Sequence, residues 1–206
     1  MATAAGPTLR RVVVIPGNGA GCASANFYPR LADALRRRGH EVLLREMPDA
    51  DRARRARWEP FVDAELVRGD AGCVVVGHSS GALAALRLAE RARVRALVLV
   101  SATHHDLGDR NERASGWYDS PWRWDAVRAN ARRVALFASS DDPFIPVTTQ
   151  REVRDGLAAA GSAAGAGSFE YIELNRRSHF FDVEQPEILD VVARFAAEPD
   201  EEEAAA

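Results

Sequence analysis

Lysine is absent from this 206-residue chain, and cysteine occurs only twice, at Cys22 and Cys73. Two thiols cannot build a disulfide framework and fall short of a structural zinc site, so a reducing, cytoplasmic setting is expected. Long apolar runs are missing too, and no stretch approaches the roughly 18 residues that a membrane span needs. Residues 1–11 lack the apolar centre of a secretory leader, which points away from export. Positive charge is carried by arginine alone, 27 residues against 30 acids. Five of those acids (Glu198, Asp200, Glu201, Glu202 and Glu203) fall within the last nine residues, which leaves 25 in the body. A body this close to neutrality has no electrostatic footprint for nucleic acid. Arg52, Arg54, Arg55 and Arg57 cluster without interleaved aromatics and read as a solvated face.

What is present is the balance of an ordinary soluble globule, 47% hydrophobic and 28% charged. The length suits one domain over 1–197, followed by an acidic tail over 198–206. Apolar runs alternate with helical patterns throughout. Strands are expected at 12–15, 42–44, 73–76, 96–100, 134–138 and 169–174. Helices are expected at 27–38, 60–66, 82–92, 124–131, 148–160 and 186–196. Strands that are apolar throughout, each followed by a helix, imply an α/β fold: a mostly parallel sheet with helices on both faces and no large lid domain. Segment 104–125 lacks periodicity but holds Trp117, Tyr118, Trp122 and Trp124. A long ordered loop in a small domain suggests function, and its expected place is the carboxyl edge of the sheet, where such folds bind ligands.

The strongest local signal is Gly77-His78-Ser79-Ser80-Gly81, a G-x-S-x-G match between a strand and a helix. That context fits a nucleophile elbow, whose crowded turn needs small residues on either side of the serine. An ordinary Gly-rich β–α turn is the plain alternative. A serine hydroxyl becomes a nucleophile only when a base takes its proton and a carboxylate orients that base. Where the chain order is serine, acid, histidine, His179 is the histidine that follows the last strands. For the acid, Asp141 and Asp142 follow the 134–138 strand, and Asp142 is favoured because Pro143 fixes the backbone after it. Asp106 or Asp109, one strand earlier, remain alternatives. Backbone N–H groups of Asn18 and Ser80 are the expected oxyanion donors, the first in the Pro16-Gly17-Asn18-Gly19 loop where glycines allow close approach. That loop lacks the G-x-G-x-x-G spacing of a dinucleotide site.

Taken together, these stretches resemble a known family, the small serine hydrolases typified by retinoblastoma-binding protein 9, minimal members of the α/β-hydrolase superfamily. The likeness rests on Pro16-Gly17-Asn18-Gly19, Trp58-Glu59-Pro60-Phe61, the elbow, Asp141-Asp142-Pro143-Phe144 and His179-Phe180. It rests most specifically on Asp106-Leu107-Gly108-Asp109, Asn111 to Gly116, and Pro121-Trp122. The resemblance implies a triad of Ser79, Asp142 and His179, no metal or organic cofactor, and carboxylic-ester or aminoacyl substrates. Two departures stand out. Ser178 occupies a position where the family usually has glycine, and Leu66-Val67-Arg68-Gly69-Asp70 lacks the Cys and Glu of the L-x-C-x-E sequence tied to pocket-protein binding.

The expected reaction is acyl transfer to water on a small-molecule ester or amide, with no nucleic-acid, membrane or pocket-protein partner. Trp117, Tyr118 and Trp122 are expected as flat apolar walls, although plain loop packing would also account for them. Glu112 is a candidate to hold a substrate amine. The competing reading is a catalytically quiet interaction module that has kept the hydrolase shell.

Overall fold

Val12 to Ile15 are β-branched and almost completely buried, and the strand they form stops at Pro16-Gly17. It is the first of six in the computed structural model, which describes residues 9–19, 22–161 and 166–199. The strands are β1 (Arg11–Ile15), β2 (Glu41–Leu44), β3 (Val74–His78), β4 (Val94–Val100), β5 (Ala131–Ser139) and β6 (Ser168–Leu174). They lie in the order β2-β1-β3-β4-β5-β6, and every pairing is parallel.

Successive side chains point to opposite faces of the sheet, and each face has its own core. Val13, Ile15, Val75, Leu97, Leu99 and Leu136 pack under α2 (Arg55–Phe61), α3 (Ser80–Ala89), α5 (Trp124–Asn130) and α6 (Val147–Ala160). Val12, Val14, Val74, Val76, Val98 and Phe137 pack under α1 (Tyr28–Arg37) and α7 (Pro186–Ala197). Each fully buried aliphatic of this kind contributes about 1.5–3 kcal/mol. Burial on both faces explains why the central strands read as unbroken apolar runs. Prolines stand at the starts of α1 and α7, where their missing N–H has no helical use.

Several boundaries differ from the sequence-based expectation. The second helix starts at Arg55 rather than 60 and continues past Pro60 as a π-helical stretch, Val62–Val67. Pro60 has no N–H for the helical ladder, and the chain accommodates it inside the helix just before the π-helical stretch. Ala131 opens β5 instead of closing α5. The segment without periodicity contains a short helix, α4 (Arg110–Ala114), capped by Asp109, which accepts from Asn111 N at 2.7 Å and Glu112 N at 3.0 Å.

The acidic end is tied down where it begins. Glu198 pairs with Arg133 at 2.9 Å, and its carbonyl accepts from Arg95. Residues 200–206, which hold the other four acids of the expected tail, lie outside the described residues, as do 162–165 in the Ala/Gly-rich loop. Among the described residues no helix is long and apolar enough to cross a membrane.

Candidate active site

Between β1 and β3 the strand order reverses direction, so the loops leaving these two strands part and open a crevice at the sheet's carboxyl edge. A cavity of about 650 Å³ occupies it. Gly17, Asn18, Ser79, Ser80, Glu112, Tyr118 and His179 are among its lining residues.

Ser79 stands between the last residue of β3 and the first of α3, with φ 54° and ψ −121°. A side chain seldom adopts that backbone conformation, and an elbow that projects a serine from a strand end requires it. Its N–H donates to Val100 O at 2.9 Å, which fastens the turn to β4. Steric demand accounts for the flanking glycines. A Cβ on Gly77 would lie 2.3 Å from Gly81 O, and one on Gly81 would lie 2.1 Å from Ile15 O. The β1 loop passes just as closely over the serine, since a Cβ on Gly17 would sit 3.2 Å from Ser79 Cβ. Ser80 opens α3, so its N–H has no partner within the helix.

The imidazole of His179 is held by Asp142, with Nδ1 2.8 Å from Oδ2 and 3.0 Å from Oδ1. With Nδ1–H donating to the carboxylate, Nε2 is left as the acceptor. Asp142 also accepts from Ser101 Oγ at 2.8 Å, Phe144 N at 2.9 Å and Ile145 N at 3.0 Å. Burial pushes its carboxyl up, but the His179 ring and the two backbone N–H groups outweigh that and hold it below the usual value. Asp141 faces elsewhere, accepting from Ser139 Oγ at 2.6 Å and Ser178 N at 3.1 Å. Asp106 pairs with Arg113 at 2.6 Å, and Asp109 caps α4. Ser178 takes a φ of 49°, a conformation that favours glycine. Its N–H is anchored on Asp141.

Behind His179 lies a feature that sequence reasoning missed. His78 is fully buried, with Nε2 2.9 Å from His179 O and Nδ1 2.5 Å from the Tyr28 hydroxyl. Tyr28 Oη in turn accepts from Gly17 N at 3.0 Å. Burial first, and then the neighbouring His179, push His78 down to about 3. Burial likewise pushes the Tyr28 phenol up to about 12. Ser101, on Asp142, was equally invisible in sequence, because nothing in its spacing ties a serine after β4 to an acid after β5.

The aromatic segment divides. Tyr118 and Glu112 line the cavity, with the phenol 3.4 Å from Glu112 Oε2. Burial raises the Glu112 carboxyl above its ordinary value, reinforced by Asp109 and opposed by the Tyr118 hydrogen bond. Trp117 and Trp122, expected as substrate walls, are not among the lining residues. Trp117 is completely buried against Trp58, and its indole donates to Ala53 O at 2.7 Å. Trp122 covers the Arg87 guanidinium at 3.7 Å. Arg87 is 1% exposed and donates to Trp117 O, Ser120 O and Pro121 O while pairing with Glu90. These two indoles are structural because a buried cation and carbonyls of the core give them partners. His104, His105 and Glu152 bring metal-ligating atoms within 4.8 Å of one another at the surface.

Residues 10–185 match the family described as alpha/beta hydrolase fold. Serine hydrolase RBBP9 from Rattus norvegicus is 41% identical over 190 residues, which cover 91% of this chain and 95% of that protein. The chain belongs to the α/β-hydrolase family, as one of its RBBP9-type serine hydrolases. Solved structures share the hydrolase's fold at lower identity. The ydeN gene product from B. subtilis is 21% identical, with a TM-score of 0.78 over 92% of this chain and all of that one. Est1E from Butyrivibrio proteoclasticus is 15% identical, with a TM-score of 0.66 over 92% of this chain and 88% of that one.

Proposed function

We propose that the hydrolase cleaves small carboxylic esters or amides through an acyl-enzyme on Ser79, with His179 as base and Asp142 as its orienting acid. The observation that carries this reading is the shared cavity. Ser79, on a turn of φ 54°, and His179, gripped by a buried Asp142, line one 650 Å³ space. Ser79 Oγ attacks the carbonyl carbon and passes its proton to His179 Nε2, and Asp142 stabilises the resulting imidazolium. The N–H groups of Asn18 and Ser80 receive the developing oxyanion, each worth about 3 kcal/mol in comparable sites. His179 then protonates the leaving group, and water repeats the sequence on the acyl-serine.

Glu112 extends the reading to acyl groups that carry an amine. It is the half-buried carboxylate of the cavity whose partner is a neutral phenol rather than a cation or a helix cap. A cytoplasmic site of action accords with the two buried free thiols.

The deciding experiment is the intact mass of wild type and Ser79→Ala after incubation with a fluorophosphonate. One adduct on wild type and none on a folded variant is the expected result. No adduct on folded wild type would overturn the assignment and favour a quiet interaction module.

A further inference from the structure

Exposed apolar side chains carry meaning where they cluster, and five large ones are exposed among the described residues: Leu9, Leu107, Phe144, Phe181 and Val183. Two of them flank one ring. Phe144 is 59% exposed and Phe181 46% exposed, and both line the cavity. Their centroids are 5.1 and 5.2 Å from that of His179, each edge-to-face, and 5.8 Å from one another. They come from different loops, Phe144 from the Asp142 loop and Phe181 from the turn after β6, and meet beside the imidazole. Phe180, between His179 and Phe181, is fully buried against Phe137 and anchors that turn. Neither exposed ring is needed to fill a core, and together they form an unsatisfied apolar cleft around the imidazole.

What that cleft would hold follows from the chemistry of the proposed triad, on which this inference rests. During acylation the Ser79 Oγ–acyl carbon bond forms and the bond from acyl carbon to the leaving oxygen or nitrogen breaks. The proton taken from Ser79 moves from His179 Nε2 onto that leaving atom. The leaving atom must therefore lie beside the imidazole, and its substituent lies against whatever surrounds the imidazole. The acyl substituent lies on the other side of the carbonyl carbon and is left to the rest of the cavity, whose lining includes Glu112 and Tyr118. We infer that Phe144 and Phe181 form a leaving-group subsite for an apolar, preferably aromatic, alcohol or amine portion of the substrate. On this reading the bare rings serve the leaving group and not the acyl group.

The test uses ethyl and benzyl esters of one common acid, whose leaving alcohols have similar acidity. Their kcat/KM values are measured on wild type, Phe144→Ala, Phe181→Ala and the corresponding leucine variants. Because kcat/KM covers the steps up to departure of the alcohol, it reads this subsite directly. The expected benzyl-to-ethyl ratio is at least about tenfold in wild type. It falls about tenfold in each alanine variant and recovers in part with leucine. A wild-type ratio near one, or variants that depress both esters equally, would overturn the subsite and leave the rings as supports for His179. A shift in preference among acyl groups, at a fixed alcohol, would overturn it by moving the rings to the acyl side. Fluorophosphonate labelling of wild type separates the two levels. A labelled serine with a flat ratio removes the subsite alone, and an unlabelled one removes the triad beneath it.

Discussion

His78 Nε2 lies 2.9 Å from the carbonyl oxygen of His179, and the two imidazoles are 4.8 Å apart. One histidine thus holds the backbone of the other. Through Tyr28, the same ring is linked to Gly17 N in the loop that also carries Asn18. His179 O can only accept, so His78 donates at Nε2, and the neutral ring that burial favours accepts from the Tyr28 hydroxyl at Nδ1. Loss of that neutrality should weaken the fold and the site together.

The pH dependence of stability has a definite sign. His78 binds its proton near 6.5 when unfolded and near 3 when folded. Between those values the unfolded chain carries a proton that the folded chain refuses, so stability rises with pH across the window and is lost as pH falls from 6.5 toward 3. Urea unfolding of His78→Gln should give a shallower slope of stability against pH over this range. At neutral pH, Tyr28→Phe should cost about 1–3 kcal/mol by stranding Gly17 N–H and His78 Nδ1. It should also slow fluorophosphonate labelling.

The adjacent acids should separate sharply. Asp142→Asn should lower kcat by about 10⁴-fold, because the amide disfavours the imidazolium and the required tautomer. Asp141→Asn loosens the contacts to Ser178 N and Ser139 Oγ without touching His179, and a loss within about tenfold is expected. Steady-state kinetics on both variants would overturn the assignment if Asp141→Asn proved the more damaging.

Gly81→Ala tests the packing of the elbow. The new methyl would meet the Ile15 carbonyl, part of the sheet backbone, so strand and helix must separate. The expected penalty is about 3 kcal/mol, a fall in Tm of about 6–12 °C for a chain of this size. Calorimetry reads it directly.

Glu112 should be visible through substrate charge. As pH falls through its raised value the carboxylate is neutralised, and KM should rise for an ester bearing an ammonium group but not for its uncharged isostere. Glu112→Gln should abolish that difference between the two esters.

Legibility in the sequence varied with the kind of signal. The central strands stood out because burial on both faces forces runs such as Val74-Val75-Val76, whereas helix ends moved wherever a proline or a short cap intervened, as at Pro60 and Asp109. Ser79 and His179 line one cavity, and Asp142 lies behind the imidazole at 2.8 Å from its Nδ1. Each lies just after a strand, and parallel strands all end on the same edge. Ring direction was not legible. Trp117 and Trp122 were expected to face outward because nothing in the sequence marks Arg87 as buried, and arginine on a helix ordinarily reads as surface. The Tyr28–His78 pairing spans 50 positions, and no local pattern encodes it.

The fastening of residues 117–121 to Arg87 has a kinetic meaning. A segment whose carbonyls are pinned to a buried cation is a wall rather than a door, so the part of the mouth that carries Tyr118 is held in place on both sides in sequence. Selectivity on that side should reside in the fixed shape of the mouth instead of in the timing of a gate.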